Sequence, residues 1–284
     1  MTKRNEKCLL SLGLGLSMGL TMICAASAAE WSHDPGSRIG TAYWGEVTPS
    51  FRTCGSIIGS GTDFQETGTR QSPIDIPESA VAGGGALPPL HFLYRATPLK
   101  VKNNGHVIEV PYQPGSHLLV GTERYELVQF HFHTPSEHTT SGRKFEMELH
   151  AVHRNSLGEL AVVGALMQSC RAGDDGCAAN PAFDAILNNA PEEEGEREVE
   201  GESVNARSLL PRGTGYYRYA GSLTTPPCSE GVRWFVLSRP VRVSEGAVER
   251  MRELVSRFPT HNGYAENSRP VRPLNDRPVL HRHH

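Results

Sequence analysis

A chain of 284 residues with 28 Lys and Arg against 31 Asp and Glu carries a formal charge of -3, and 38% of its residues are hydrophobic. The near-balanced charge leaves no electrostatic footprint for nucleic acid, and beyond the N-terminus no apolar run is long enough to span a bilayer. With 29 Gly and 20 Pro, the composition favours a loop-rich, mainly β (α+β) fold over a helical bundle, in one large domain.

Lys3, Arg4 and Lys7 precede an apolar run from Leu9 to Ile23, and Ala26-Ser27-Ala28-Ala29 follows. That is the pattern of a secretory signal peptide, residues 1–29, which leaves a mature domain at 30–284. Cleavage removes Lys3, Arg4, Lys7 and Glu6 and makes the mature chain more acidic by two charges. Cys24 is not read as a lipidation site, because Thr21-Met22-Ile23 lacks the small residue expected before one, so no stable membrane insertion is expected after cleavage. Cys54, Cys170, Cys177 and Cys228 remain, an even number in an oxidising compartment, which predicts two disulfides rather than a Zn-thiolate cluster. Three pairings are open. Cys170 with Cys177 would clip a local turn and leave Cys54 and Cys228 to tie the early chain to the late chain.

Trp31 to Arg70 has no sustained apolar period and reads as irregular. From Leu90 onwards, His91–Tyr94, Val107–Val110 and His117–Val120 are short strand-like runs separated by Gly-containing breaks. Tyr125–His133, Phe145–His153, Leu160–Met167 and Val232–Leu237 are the strongest strand candidates, and together they predict a sizeable sheet. Pro181–Asn189 reads as a helix with Pro in its first turn. Ser244–Phe258 reads as a second, with Val248, Met251, Leu254, Val255 and Phe258 on one face. The Glu-rich run Pro191–Glu202 reads as a solvated surface loop rather than an acidic docking site. No internal repeat is visible.

Side chains alternate along a strand, so in Tyr125–His133 the residues Leu127, Gln129, His131 and His133 share one face, opposite Val128, Phe130 and Phe132. In Phe145–His153, Glu148, His150 and Val152 share a face opposite Met147, Leu149 and Ala151. If the two strands are neighbours, His150 joins His131 and His133. Three neutral histidines with no fourth protein ligand are the set a catalytic Zn²⁺ uses, because the open position holds water. Gln129 and Glu148, each two residues from a histidine on its own face, are placed to accept N–H bonds from the ligands. His131-x-His133 followed by Glu137 also mimics a cupin motif, in which Glu137 would ligate Fe or Mn, but Tyr125 stands where that motif needs glycine.

Six blocks then agree in order: Gln71-Ser72-Pro73-Ile74-Asp75-Ile76, Asn103-Asn104-Gly105-His106, Gln129-Phe130-His131-Phe132-His133, Ser136-Glu137-His138, Glu148-Leu149-His150-Ala151-Val152-His153 and Gly221-Ser222-Leu223-Thr224-Thr225-Pro226-Pro227. Together they closely resemble an alpha-class carbonic anhydrase, over about Trp44 to Pro273. Thr134–His138 and Pro226–Gly231 look like the bacterial, exported branch. The resemblance implies a central, mostly antiparallel twisted sheet with a few peripheral helices in a single domain. It also implies Zn²⁺ on His131, His133 and His150 and reversible hydration of carbon dioxide to bicarbonate and a proton by zinc-bound hydroxide. Substrate would lie against Val152, Val162, Leu223, Val232 and Trp234, with Thr225 at the mouth. Thr224 would orient the hydroxide, donating its own proton to Glu137. His138 would support Glu148, and His106 would be the proton shuttle. The pairing it implies is Cys54 with Cys228, leaving Cys170 with Cys177. The location it implies is periplasmic or secreted.

The chain departs from the family in places. Trp31-Ser32-His33 replaces a common Trp-x-Tyr, the Gly55–Arg70 segment is long, and Glu109 stands where a neutral amide is common and is expected to raise the pKa of His106. Arg272 stands where Gln is frequent. His91, His117, His153 and His261 are expected to be structural or exposed, and His281, His283 and His284 to form a metal-binding tail. The sequence does not set the oligomeric state.

Overall fold

The strand signals resolve into one twelve-stranded sheet in a computed structural model that describes residues 29–57, 64–65, 68–77, 81–83, 87–171, 180–213 and 215–283. Its strands are β1 (Val81–Gly83), β2 (Leu90–Leu93), β3 (Thr97–Asn103), β4 (Ile108–Pro111), β5 (His117–Val120), β6 (Glu123–His133), β7 (Met147–Arg154), β8 (Leu160–Cys170), β9 (Gly195–Val204), β10 (Tyr216–Ser222), β11 (Glu230–Ser244) and β12 (Val279–Arg282). Across the sheet the order is β9, β3, β4, β6, β7, β8, β11, β10, β12, β1, while β2 pairs with β5 and β5 with β6. Pairing is antiparallel except between β8 and β11 and between β12 and β1. The expected mainly β architecture is therefore present. The signal-peptide reading falls on residues of which 1–28 lie outside the described set, as does Cys177. Among the described residues no helix is long and apolar enough to cross a membrane.

Alternation gives the sheet two chemically different faces. One face carries Phe130, Phe132, Leu149, Ala151, Val163, Ala165, Phe235 and Leu237 into the larger core. Helices α1 (Pro181–Asn189) and α2 (Glu245–Ser256) cover it with Phe183, Ile186, Leu187, Val248, Met251, Leu254 and Val255. Both helices start where the sequence provides a cap. The Asn180 side chain accepts from the Ala182 and Phe183 N–H groups ahead of Pro181, and Ser244 accepts from Ala247. The opposite face holds the histidines and a smaller apolar cluster. Cys54 and Cys228 are joined, 174 residues apart, beside the fully buried Trp44.

Three expectations are corrected. Strict alternation put Leu127 on the histidine face, but the β6–β7 register passes from Gln129 opposite Val152 to Leu127 opposite His153. Val128 is the extra residue of a β-bulge, which turns Leu127 into the larger core while Gln129, His131 and His133 keep the other face. The Glu-rich run is not a loop. From Gly195 it is β9, paired with β3 alone at the sheet edge, where exposed charges on both faces discourage further strand addition. Nor do the C-terminal histidines begin as a free tail, since His281 lies in β12, opposite Tyr217 of β10 and stacked on its ring at 4.3 Å.

His153 is fully buried on the core side of the bulge, with Nε2 2.5 Å from the Tyr94 hydroxyl and Nδ1 3.2 Å from the Ala161 carbonyl. Burial lowers its pKa from 6.5 to about 4. The unfolded chain therefore binds more protons here between those values, so the stabilising contribution is complete above pH 6.5 and is lost as pH falls towards 4, a change of about 3 kcal/mol. His153→Gln, which keeps polar partners but does not titrate, should flatten the acid limb of urea-unfolding free energy against pH by up to about one proton. Identical slopes for the two proteins would contradict this account.

Candidate metal centre

The register sets His131 directly opposite His150 and His133 opposite Glu148, so all these side chains share the face away from the helices. One nitrogen of each of the three histidines is occupied. His131 Nδ1 is 2.9 Å from Gln129 Oε1, His133 Nδ1 is 2.7 Å from the Asn267 carbonyl, and His150 Nε2 is 2.9 Å from Glu148 Oε1. His131 Nε2, His133 Nε2 and His150 Nδ1 are left over. The three histidines offer ligand atoms within 4.8 Å of one another. His133 Nε2 is buried with no hydrogen-bond partner, an isolation that a metal ion relieves. A second cluster of His138, Glu148 and His150 meets the same distance criterion, but its atoms are already bonded to each other. The first cluster therefore fits a cation and the second supports it.

Burial, with His133 and His150 nearby, holds the pKa of His131 well below its ordinary value, and burial also lowers that of His133 against the pull of Glu137. Both rings are neutral donors. Burial opposes charge on His150 as well, but Glu148 and Glu137 raise its pKa, so a metal ion competes there with a proton. Glu148 is completely buried. Its Oε2 accepts the Glu137 and His138 N–H groups at 2.9 and 2.8 Å, and its Oε1 lies 2.7 Å from His138 Nδ1. Burial works against its charge, yet His138 and His150 hold its pKa well below the ordinary carboxylate value. His138 Nε2 continues the chain to the Tyr219 hydroxyl at 2.6 Å, which donates to Ser72 Oγ at 2.9 Å. Gly164, opposite His150, leaves room for this carboxylate, since a Cβ there would stand 2.9 Å from Glu148 Oε1.

Glu137 is also fully buried. Its Oε1 accepts the Arg269 N–H at 2.8 Å, and its Oε2 has no hydrogen-bond partner and lies 3.7 Å from His150 Nδ1. Thr224 is buried in the loop after β10, where Leu223 N–H donates to Ser229 and Cys228 N–H donates to Thr225. Val152, Val162, Leu223, Val232 and Trp234 join in one apolar cluster, with the Trp234 ring 4.8 Å from that of His150. Thr225 is half-buried beside them. The sequence-predicted ligands, supports and apolar wall are thus brought together.

His106 lies flat on Trp31, ring centroids 3.7 Å apart. Its pKa is lowered to about 4 by burial and by His261, the opposite of the rise expected from Glu109. His33 is buried with neither ring nitrogen hydrogen-bonded, 5.5 Å from the His261 ring and 6.5 Å from those of His106 and His133. Sequence reasoning missed Asn267, Arg269 and Tyr219. Asn267 fixes His133 through its carbonyl, accepts the Thr134 N–H at 2.8 Å and donates to the Phe132 and His106 carbonyls. Arg269 is buried and donates to the Ser72 and Cys54 carbonyls at 2.6 and 2.8 Å, its guanidinium 5.7 Å from the Trp44 ring centroid. Asn267 and Arg269 act through long-range contacts from an irregular segment that no periodicity marks, and Tyr219 lies midway along β10, a strand the sequence reading did not single out.

A family described as eukaryotic-type carbonic anhydrase matches residues 61–283. The chain is 36% identical over 272 residues to a carbonic anhydrase of Nostoc sp., covering 95% of this chain and 92% of that one. It is 35% identical over 271 residues to a carbonic anhydrase of Neisseria gonorrhoeae, covering 93% and 96%. Among solved structures, it is similar to the alpha-carbonic anhydrase from Thermovibrio ammonificans in complex with the inhibitor sulfanilamide. The TM-score is 0.76 and the identity 35%, over 89% of this chain and all of the other.

Proposed function

The chain belongs to the eukaryotic-type, or alpha, carbonic anhydrase family, and we propose that it hydrates carbon dioxide reversibly to bicarbonate and a proton at a Zn²⁺ held by His131, His133 and His150. The observation that carries this reading is the convergence of three histidines, each with its other nitrogen already bonded to Gln129, Asn267 or Glu148. A Zn²⁺ in such a set lowers the pKa of a bound water from about 15.7 to about 7 and so supplies a nucleophile at neutral pH. The chain's own residues do the rest. Val152, Val162, Leu223, Val232 and Trp234 offer an apolar gas a dry wall, with Thr225 at its mouth. Glu137 Oε2, buried and without a hydrogen-bond partner in the structure, is the acceptor left available to the Thr224 hydroxyl, and a bond formed there would leave the threonine oxygen free to accept from the attacking group and fix its direction. His106 is the group proposed to pass the product proton to buffer, and because burial on Trp31 lowers its pKa to about 4, taking up that proton requires the ring to leave its stacked seat.

Residues 1–29 are read as the export signal and 30–284 as the catalytic domain. The Cys54–Cys228 bridge supports a periplasmic or secreted site of action, because such a bond persists in an oxidising compartment and is kept reduced in the cytosol.

With His281, His283 and His284 changed to Gln, the protein should hold about one Zn²⁺ per chain, and His150→Ala should lose both the metal and carbon dioxide hydration. Metal analysis and a stopped-flow hydration assay, with and without chelator, test this. Stoichiometric zinc in His150→Ala would overturn the ligand set.

Thr224→Ala should keep zinc and fold while lowering the hydration rate constant by about 10², or roughly 2.7 kcal/mol of transition-state stabilisation. Glu137→Gln should do similar damage, since an amide can donate to the threonine oxygen and reverse the bond. The double variant should be little worse than either, because both act through one chain of bonds. Strict additivity in stopped-flow rates would refute it.

His106→Ala should slow turnover about ten-fold in weak buffer, with recovery on adding imidazole, because only proton export is lost. Unchanged turnover at low buffer would assign that task elsewhere, with His33 the next group to replace.

A further inference from the structure

On the histidine face, directly paired positions form one row across the sheet: Glu196 of β9, Lys102 of β3, Glu109 of β4, His131 of β6 and His150 of β7. Opposed residues on one face of a sheet have Cβ atoms only about 5 Å apart, so Glu109 stands one strand from a metal-binding histidine. Its side chain retains 17% exposure, against 42% for Lys102, whose Nζ lies 4.0 Å from Glu109 Oε1. Farther out, Lys100 is paired with Glu196 at 2.6 Å. The charges therefore alternate from the edge inwards, and the innermost is negative. Lys102 offsets it only in part, because a half-exposed ammonium at that distance is well screened by water.

The reaction proposed above joins a neutral substrate to an anionic product. A fixed negative charge beside the centre acts on the second and not the first, since carbon dioxide carries no net charge for it to repel. We propose that Glu109 sets the selectivity of this centre against small anions, weakening the hold on bicarbonate and on inorganic monoanions while leaving access of carbon dioxide unaltered. The inference rests on the carbonic anhydrase reading of the same centre. Lys102 acts with opposite sign, as the charge that tempers Glu109.

The test uses the full chain loaded with Co²⁺, with thiocyanate as the probe at pH 8 and low ionic strength, its Kd read from the visible spectrum of the metal. Glu109→Gln should tighten thiocyanate about five-fold, and Lys102→Met should loosen it about two-fold. In the zinc-loaded chain, Glu109→Gln should also lower KM for bicarbonate, while kcat/KM for carbon dioxide stays within about two-fold. Opposite shifts from neighbouring residues are the signature of charge, which a packing defect does not reproduce. Equal thiocyanate affinity in all three proteins would overturn the proposal, as would shifts in the same direction from both variants. Loss of carbon dioxide hydration in Glu109→Gln would overturn it too, by making the residue part of the catalytic machinery. Failure of the underlying reading has a different mark, absence of hydration in the unsubstituted chain, and the spectroscopic affinities are measured without turnover.

Discussion

One buried carboxylate organises the centre. Glu148 has no exposure, yet it stays ionised because two backbone N–H groups and two imidazoles meet its oxygens. A charge removed from water to that extent is tolerated only when fully bonded, and the bonds in turn fix whatever makes them. The Glu137–His138 turn is held by its backbone, His138 by its ring, and His150 in the orientation that turns Nδ1 towards His131 and His133. The glycine at position 164 belongs to the same arrangement, because a side chain there would occupy the space the carboxylate needs.

Around that point the sheet works as a partition. Its larger core, closed by the two capped helices, stabilises the strands by apolar burial and carries no group of the candidate centre. The other face carries the polar residues, whose geometry is borrowed from strands made rigid by the core behind them. The bulge at Val128 lets one strand serve both purposes, since Leu127 can enter the core without moving Gln129 off the histidine face.

The irregular segments are tied to this frame by groups that would be costly to leave unpaired. Arg269 takes the carbonyls of Cys54 and Ser72 with its guanidinium, while its own N–H holds Glu137. Asn267 similarly joins the carbonyl supporting His133 to the segment that carries His106. The disulfide closes the arrangement by fastening Cys54 to the loop of Thr224 and Thr225. Each is a contact between parts of the chain far apart in sequence, so the centre forms only when the whole domain folds.

What repeats locally was legible in the residues alone. The alternation in Phe145–His153 set His150 with Glu148 and Val152, Pro181 marked the start of one helix and the apolar face of Val248, Met251, Leu254, Val255 and Phe258 marked the other, and the spacing of His131 and His133 marked a ligand pair, because strand and helix periods are properties of neighbouring residues. The rest arises from contacts made only in the folded domain. Val128 is an ordinary strand residue whose bulge exists through pairing with β7. The Glu-rich run lacks an apolar face and becomes a strand because β3 offers it hydrogen bonds. His106 was expected to be raised by Glu109, but burial and His261, distant in sequence, lower it instead. Likewise, nothing near Asn267 or Arg269 in the chain announces their partners, since a carbonyl or carboxylate is selected by where it lies in space and every residue supplies a carbonyl.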